Sequence, residues 1–340
     1  MTADAARAVN LPLPSTGLVM WEHRGRGGRR CGRRTAAIAG ALAIALCGLQ
    51  PLGARADTLT QTSDRLAAAL NFPWPDLLPA FPTTSNPQPG PVPGCQQPTP
   101  GCIDLEVTRL RDLRRRLGCD HRAVFATTYL VLTLTLRDTL RADPRFFADP
   151  DYLYTEDALF ADYYFRTVAD YARGRPVPAA WRIAFRTAAR GGANAAQDML
   201  LGINAHVQRD MPFVLAELGL HRPDGTSRKG DHDRVNQVFQ RAYEPVVREI
   251  ARSYDPFVSV SNAGASPVDN VAGLELVKGW REGVWRNAER LLNATTAAQR
   301  QAVANSIETN AASWARSIAA GRVPGYRARR DAYCARRLRN

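Results

Sequence analysis

Beyond residue 103 the chain repeats one pattern, an apolar side chain every three or four positions. From Ile103 to Leu117 apolar residues fall at 103, 107, 110, 113 and 117, and Gly118 stops the run. A second helix is expected from His121 to about Arg141, with Asp120 placed to cap it. Its segment VFATTYLVLTLTL is β-branched enough to read as a strand, but its length and the charged return RDTLRAD favour a buried helix. Tyr152–Arg173 carries a dense aromatic side and ends at the Gly174 to Pro178 stretch. AAWRIAFRTAAR reads as a fourth helix with Pro178 in its first turn, and Ala193–Leu218 as a fifth. A polar loop over 221–230 precedes a sixth helix, about Asp231 to Tyr254, which Pro245 is placed to bend. Leu274–Leu292 and Thr296–Ala320 follow, the last ending at Gly321. Neither strand alternation nor an internal repeat interrupts this order. The pattern predicts an all-α protein, about eight helices in a single multi-helix globular domain over residues 103–321.

A Pro-rich arm, residues 57–102, precedes that domain. Its stretch FPWPDLLPAFPTTSNPQPGPVPGCQQPTP excludes helix and sheet interior and predicts an extended segment draped over the core. Phe72, Trp74 and Phe81 are its expected anchors, after a short amphipathic turn at 57–70. Residues 1–56 read as an export signal. Arg29, Arg30, Arg33 and Arg34 precede an apolar run from Ala36 to Leu49, too short to span a bilayer comfortably, and Ala54-Arg55-Ala56 forms an A-x-A cleavage site. General secretion is the expected route, with an uncleaved anchor as the alternative and Met20 as an alternative start. The twin arginines lack the usual following residues, and Leu46 is too bulky for lipidation at Cys47.

Export makes the cysteines legible. Cys95, Cys102, Cys119 and Cys334 remain after removal of the signal, an even number for an oxidising compartment. Of the three pairings, Cys95–Cys102 and Cys119–Cys334 are favoured, the second because closing a long loop stabilises more. Zinc binding by these thiols is the weaker rival, as no C-x-x-C pair occurs. The net charge of +13 is almost all arginine, since Lys229 and Lys278 are the only lysines. Part of the excess sits in the tail, 322–340, which ends YRARRDAYCARRLRN. Peripheral contact with anionic surfaces is open to such a tail, but no nucleic-acid motif accompanies it. A solvated tail held by Cys334 is expected.

Candidate chemistry concentrates on two helices. At 100° per residue, Ala196, Leu200, Ile203, Val207, Val214 and Leu218 share one arc of the fifth, and Asp198, Gln208 and Arg209 point away. His206 falls on the flank of that arc and Asp210 within it, one turn apart. A carboxylate buried there needs a partner, because an unpaired buried charge is costly. On the sixth helix, Val235, Phe239, Tyr243, Val246 and Ile250 form an arc that contains His232, with Asn236 one turn on and Asp231 and Asp233 beside it.

One reading is a metal centre. His206, Asp210, His232 and Asp231 or Asp233 would supply a mixed N/O set for zinc or another divalent metal, whose bound hydroxide would attack an ester or phosphoester. The plainer reading makes Asp231 or Asp233 a helix cap, His232 a core histidine and His206–Asp210 a surface pair. A third is a metal-free acid/base pair in which Asp210 orients His206. The two polar insertions stand about 20 Å apart along the helices, so their meeting needs a bend at Pro212 or a folded-back 221–230 loop. His121 beside Asp120 reads as a helix start. Asp157 and Asp162 read as solvated charge more readily than as groups behind a site, and the aromatics around Tyr163–Phe165 as core. No G-x-S-x-G, P-loop or G-x-G-x-x-G pattern occurs.

LLGINAHVQRDMPFVL followed by KGDHDRVNQVF resembles the DUF5995 family of uncharacterised bacterial proteins. DPRFFADPDYL, ADYYF and PVPAAWRIAF fit as well, so the resemblance covers about residues 103–255. It implies that Asn204, Ala205, His206, Asp210, Asp231, His232 and Asn236 belong to the family's recognisable pattern, and it brings no activity with it. The H-x-x-x-D element is also loosely similar to helical zinc phospholipase C and nuclease sites, which use more histidines than this region holds. Two functions follow as expectations. The first is a secreted metal-dependent hydrolase of phosphoester or lipid substrates, with His206, Asp210 and His232 catalytic and Asn204 and Asn236 binding. The second is a non-enzymatic secreted helical binding or structural module with a buried His/Asp/Asn hydrogen-bond network.

Overall fold

Each periodic segment is helical in the computed structural model, which describes residues 73–258, 267–321 and 325–339. The export signal at 1–56, the 57–70 turn and Phe72 lie outside the described residues. In chain order the elements are α1 Trp74–Leu77, α2 Pro100–Leu117, α3 Arg122–Ala142, α4 Pro150–Ala172, α5 Ala179–Arg190 and α6 Ala195–Ile203. A π-helical segment, Asn204–Asp210, leads into α7 Met211–Leu218. Then come α8 Lys229–Ser253, α9 Pro267–Asn293, α10 Ala297–Ala319 and α11 Tyr326–Arg339. Among the described residues there is no strand, only two isolated bridges.

Local chemistry sets these boundaries. Asp149 caps α4 by accepting from the Tyr152 amide at 3.2 Å. Asn194 with Gln197, and Thr296 with Gln299, form reciprocal capping boxes at α6 and α10. Asp120 accepts from the Arg122 amide at 2.8 Å, so it does tie down the start of α3. The β-branched run of α3 is helical throughout, and α8 passes through Pro245 without ending.

The expected single helix over 193–218 differs in kind. α6, the π segment and α7 form one run, but the central residues bond i to i+5, so the Met211 amide reaches the His206 carbonyl. π turns of this kind occur often at functional sites. The run is also buried on more than one side. Asp198 and Gln208, which the wheel turns outward, are both 6 % exposed, because α3 and the preceding His121 cover one flank and α10 the other. The approach of α6 to α3 is close enough to require Gly202, where a Cβ would stand 2.1 Å from Cγ of Phe125.

The arm crosses α9. Trp74 packs on Gly279, and Arg286 Nε donates to the Leu78 carbonyl at 3.0 Å. The Phe81 amide donates to Glu289 at 2.8 Å. Phe81 is thus held by its backbone, and the residue stays 40 % exposed. Both expected disulfides form, Cys95–Cys102 and Cys119–Cys334, with sequence separations of 7 and 215. Such bonds belong to an extracellular or otherwise oxidising compartment. No helix among the described residues is long and apolar enough to cross a membrane.

The tail departs from expectation, since residues 326–339 are the helix α11 rather than a solvated coil. Tyr326, Arg330, Tyr333 and Cys334 recur at helical spacing and turn toward the domain. Cys334 and Arg330 are buried. His121 lies between Asp198 and Asp331, 3.1 Å from each, and so joins α11 to α6. Its role is a strut between helices, in addition to opening α3.

Candidate functional site

His206 and Asp210 meet as their spacing predicts. The Nδ1 of His206 lies 3.1 Å from Oδ2 of Asp210. That oxygen also accepts from Trp181 Nε1 at 2.8 Å, and Oδ1 accepts from Arg209 at 2.9 Å. Asp210 is fully buried, so these donors and the Arg209 charge supply the partner such a carboxylate needs. As an acceptor, Asp210 fixes the imidazole proton on Nδ1 and leaves a lone pair on Nε2. The ring stacks on Phe160 with centroids 3.4 Å apart and is bordered by Phe125, Tyr129, Tyr164 and Trp181. Burial holds the His206 pKa below its usual value, against the raising effect of Asp210, so the neutral base is the ground form.

Nε2 of His206 is buried and has no hydrogen-bond partner. His206 belongs to the wall of a cavity of about 80 Å³ between α3, α4, the π segment, α8 and α9. Four more buried atoms on residues of this wall are unpartnered: Tyr129 Oη, Thr133 Oγ1, Asp157 Oδ2 and Arg281 Nε. Buried polar atoms nearly always find partners, so five on the residues of one wall single this cavity out as the candidate site. Leu132, Leu136, Leu153, Val235 and Phe239 supply much of the remaining wall.

Glu156 and Asp157 bring two adjacent carboxyls to this cavity. Burial pushes Glu156 up to about 7, with Arg281 drawing it down and Asp231 pushing it further up. Burial pushes Asp157 up to about 8, assisted by the charges of Glu106 and Glu156. Near neutrality each carboxyl can therefore carry a proton and donate it. Asp157 is thus not the solvated helix charge expected from sequence. Asp162, also expected in solvent, is largely buried and pairs with Arg166 at 2.8 Å.

The other expected ligands lie in separate networks. Nε2 of His232 donates to the Arg281 carbonyl at 3.1 Å, and its Nδ1 accepts from Arg281 Nη2 at 3.2 Å. Burial, and then the Arg281 charge, hold its pKa well below the usual value. Asp231 accepts from the Ala148 and Asp149 amides at 2.9 Å and from Arg222 at 3.0 Å, clamping the loop before α4. Asp233 is exposed and pairs with Lys229. The set His206, Asp210, Asp231, His232 and Asp233 therefore does not assemble. No three His, Cys, Asp or Glu side chains gather as metal ligands among the described residues. The residues do not fit the zinc or other divalent centre expected from sequence.

Asn204 is also spent on structure. Its amide nitrogen donates to the Ala311 carbonyl at 2.9 Å, and its oxygen accepts from Gln208, which accepts in turn from Asn310. Asn236 lies on α8 outside the cavity wall with its Oδ1 shielded and unpartnered. Neither reaches the cavity as a binding residue.

The model of a family of unknown function, DUF5995, matches residues 103–321. The chain belongs to the DUF5995 family. No curated protein and no solved structure matches it. The match runs past the 103–255 stretch recognisable by eye and takes in α9 and α10, so every cavity residue of this DUF5995 protein lies within the family region. Sequence reasoning passed over Tyr129, Thr133, Glu156, Trp181 and Arg281. For Glu156 a signal existed, because Leu153, Glu156, Asp157 and Phe160 share one helical face at intervals of three and four. Arg281 likewise interrupts the apolar series Val277, Trp280, Val284, Trp285.

Proposed function

We propose that this DUF5995 protein is an exported acid–base hydrolase of small esters with an apolar acyl part, acting at the cavity beside His206. The observation that carries the reading is the free Nε2 of a neutral, buried histidine whose Nδ1 is held by Asp210. In this reaction Nε2 takes a proton from water as the water oxygen bonds to the carbonyl carbon. The bond to the leaving alkoxide then breaks, and a protonated Glu156 or Asp157 gives that oxygen its proton. The apolar wall supports an apolar acyl group. A phosphate dianion is disfavoured because Arg281 is the one Lys or Arg among the described wall residues. The metal-dependent form is not carried forward, since Asp231, His232 and Asp233 are engaged elsewhere. Export rests on the Arg29–Ala56 signal pattern and is supported by the two disulfides. A second reading, ligand binding without chemistry, is favoured by the purely structural Asn204–Gln208–Asn310 chain.

Initial rates on p-nitrophenyl acetate and butyrate test the proposal. Turnover should survive a chelator and fall by about 10²-fold or more in His206→Asn, the usual contribution of a general base. Wild-type protein without turnover, or a variant that keeps it, would overturn the reading.

A further inference from the structure

The guanidinium of Arg281 is the least explained group in the cavity wall. The residue is 1 % exposed. Its Nη2 holds His232, Nε has no acceptor, and no carboxylate among the described residues pairs with it. A buried arginine is ordinarily paired, because the cost of removing its charge from water is otherwise not offset. Burial lowers its pKa only to about 10, with Glu156 and Asp233 acting against that fall, so it stays charged. The cavity wall thus includes a cation short of an anion. The same wall also carries carboxyls, hydroxyls and a histidine, and the rest is hydrocarbon.

We infer that the cavity binds a short-chain monocarboxylate, its carboxylate accepting from Arg281 and its chain against the apolar wall. A volume of about 80 Å³ is several times the roughly 10–15 Å³ that one water requires, which suits a chain of a few carbons. An alcohol or amide would leave the charge of Arg281 unmatched, and the second charge of a dicarboxylate would meet no second Lys or Arg among the described wall residues. The inference concerns the same cavity as the hydrolytic reading and rests on it only for the choice of site.

The groups around Glu156 make binding pH-dependent. Asp157 neighbours it on α4, His206 faces the cavity from the π segment and Tyr129 from α3. Arg281 reaches it from α9, Asp231 from α8 and Arg228 from the residue before α8, while Glu106 of α2 acts on Asp157. An added anion is tolerated while Glu156 keeps its proton. Above about pH 7 that proton must be taken up on binding, and affinity falls.

Calorimetry and ligand-detected NMR on the full chain, with butyrate and its neutral isostere butyramide at pH 6, 7, 8 and 9, test this. Butyrate should bind at least tenfold more tightly than butyramide at pH 6. Its affinity should fall by about tenfold for each pH step above 7 and fall less in Glu156→Gln. Arg281→Gln should abolish the preference for the acid. If that variant misfolds, the wild-type comparison of acid and amide still decides. Equal binding of the two, or no butyrate binding between pH 6 and 8, would overturn the inference. Butyrate binding without ester turnover would retain it and remove the hydrolytic reading, and turnover without preference for the acid would do the reverse.

Discussion

Replacing Glu156 by glutamine should stabilise the fold at alkaline pH and leave it unchanged in acid. The residue is 5 % exposed, and no hydrogen bond contributes to its titration. It titrates at about 7 rather than 4.5, chiefly because burial disfavours its charge. The folded chain therefore holds this proton more tightly than the unfolded chain, by about 3 kcal/mol at about 1.4 kcal/mol per tenfold. Between pH 4.5 and about 7 the unfolded state sheds the proton while the folded state keeps it, so stability falls as pH rises through that window. Above the window the whole loss is present. Glutamine has the same shape and no charge to lose. Urea titrations of both proteins at pH 4, 6 and 8 should show a gap near zero at pH 4, opening to about 3 kcal/mol in favour of glutamine at pH 8. A glutamine variant less stable than wild type at pH 8, or a gap indifferent to pH, would refute the reasoning, because the folded carboxylate would then have a partner. A natural residue that costs stability at working pH is most simply retained for what it does there.

The two disulfides should differ in worth. In the chain-entropy account, removing Cys119–Cys334 by paired serine substitutions costs about 5 kcal/mol and removing Cys95–Cys102 about 2, because the loops they close differ so much in length. Denaturant midpoints that rank the two variants in the opposite order would contradict this. Gly202→Ala should cost about 1–3 kcal/mol by overpacking, since the new methyl would occupy the space of the Phe125 ring. Phe125 borders both the cavity and His206, so the variant should also weaken ester turnover, and a variant with unchanged melting temperature would show that α3 gives way freely.

The helices were legible because burial and periodicity agree along nearly the whole chain. Even VFATTYLVLTLTL in α3, rich in β-branched residues, obeys its length and flanks. The His206–Asp210 pair was legible for the same reason, as two polar residues one turn apart cannot stand in an apolar arc without answering each other. What failed was the assumption of one exposed face. The wheel turned Asp198 and Gln208 to solvent, but helices pack against several sides of the 195–218 run, and π geometry breaks its 100° step. Asp231, His232 and Asp233 looked like ligands because a sequence does not reveal which neighbour has already taken a donor. The 148–149 amides, Arg281 and Lys229 had done so. Arg281 lay too far along the chain for any spacing rule to connect it with Glu156.

The Cys119–Cys334 bond has a topological consequence. Every residue bordering the cavity, from Phe125 to Arg281, belongs to one covalent ring closed by that bond. A protease that cuts once within the exposed 223–227 loop opens the ring without dividing the molecule. Both halves of the cavity wall, α3 and α4 on one side of the cut and α8 and α9 on the other, stay tethered through sulfur. In surroundings rich in proteases, the first cleavage leaves a nicked chain that still holds its parts together, and fragments separate only after a second cut or a reductant.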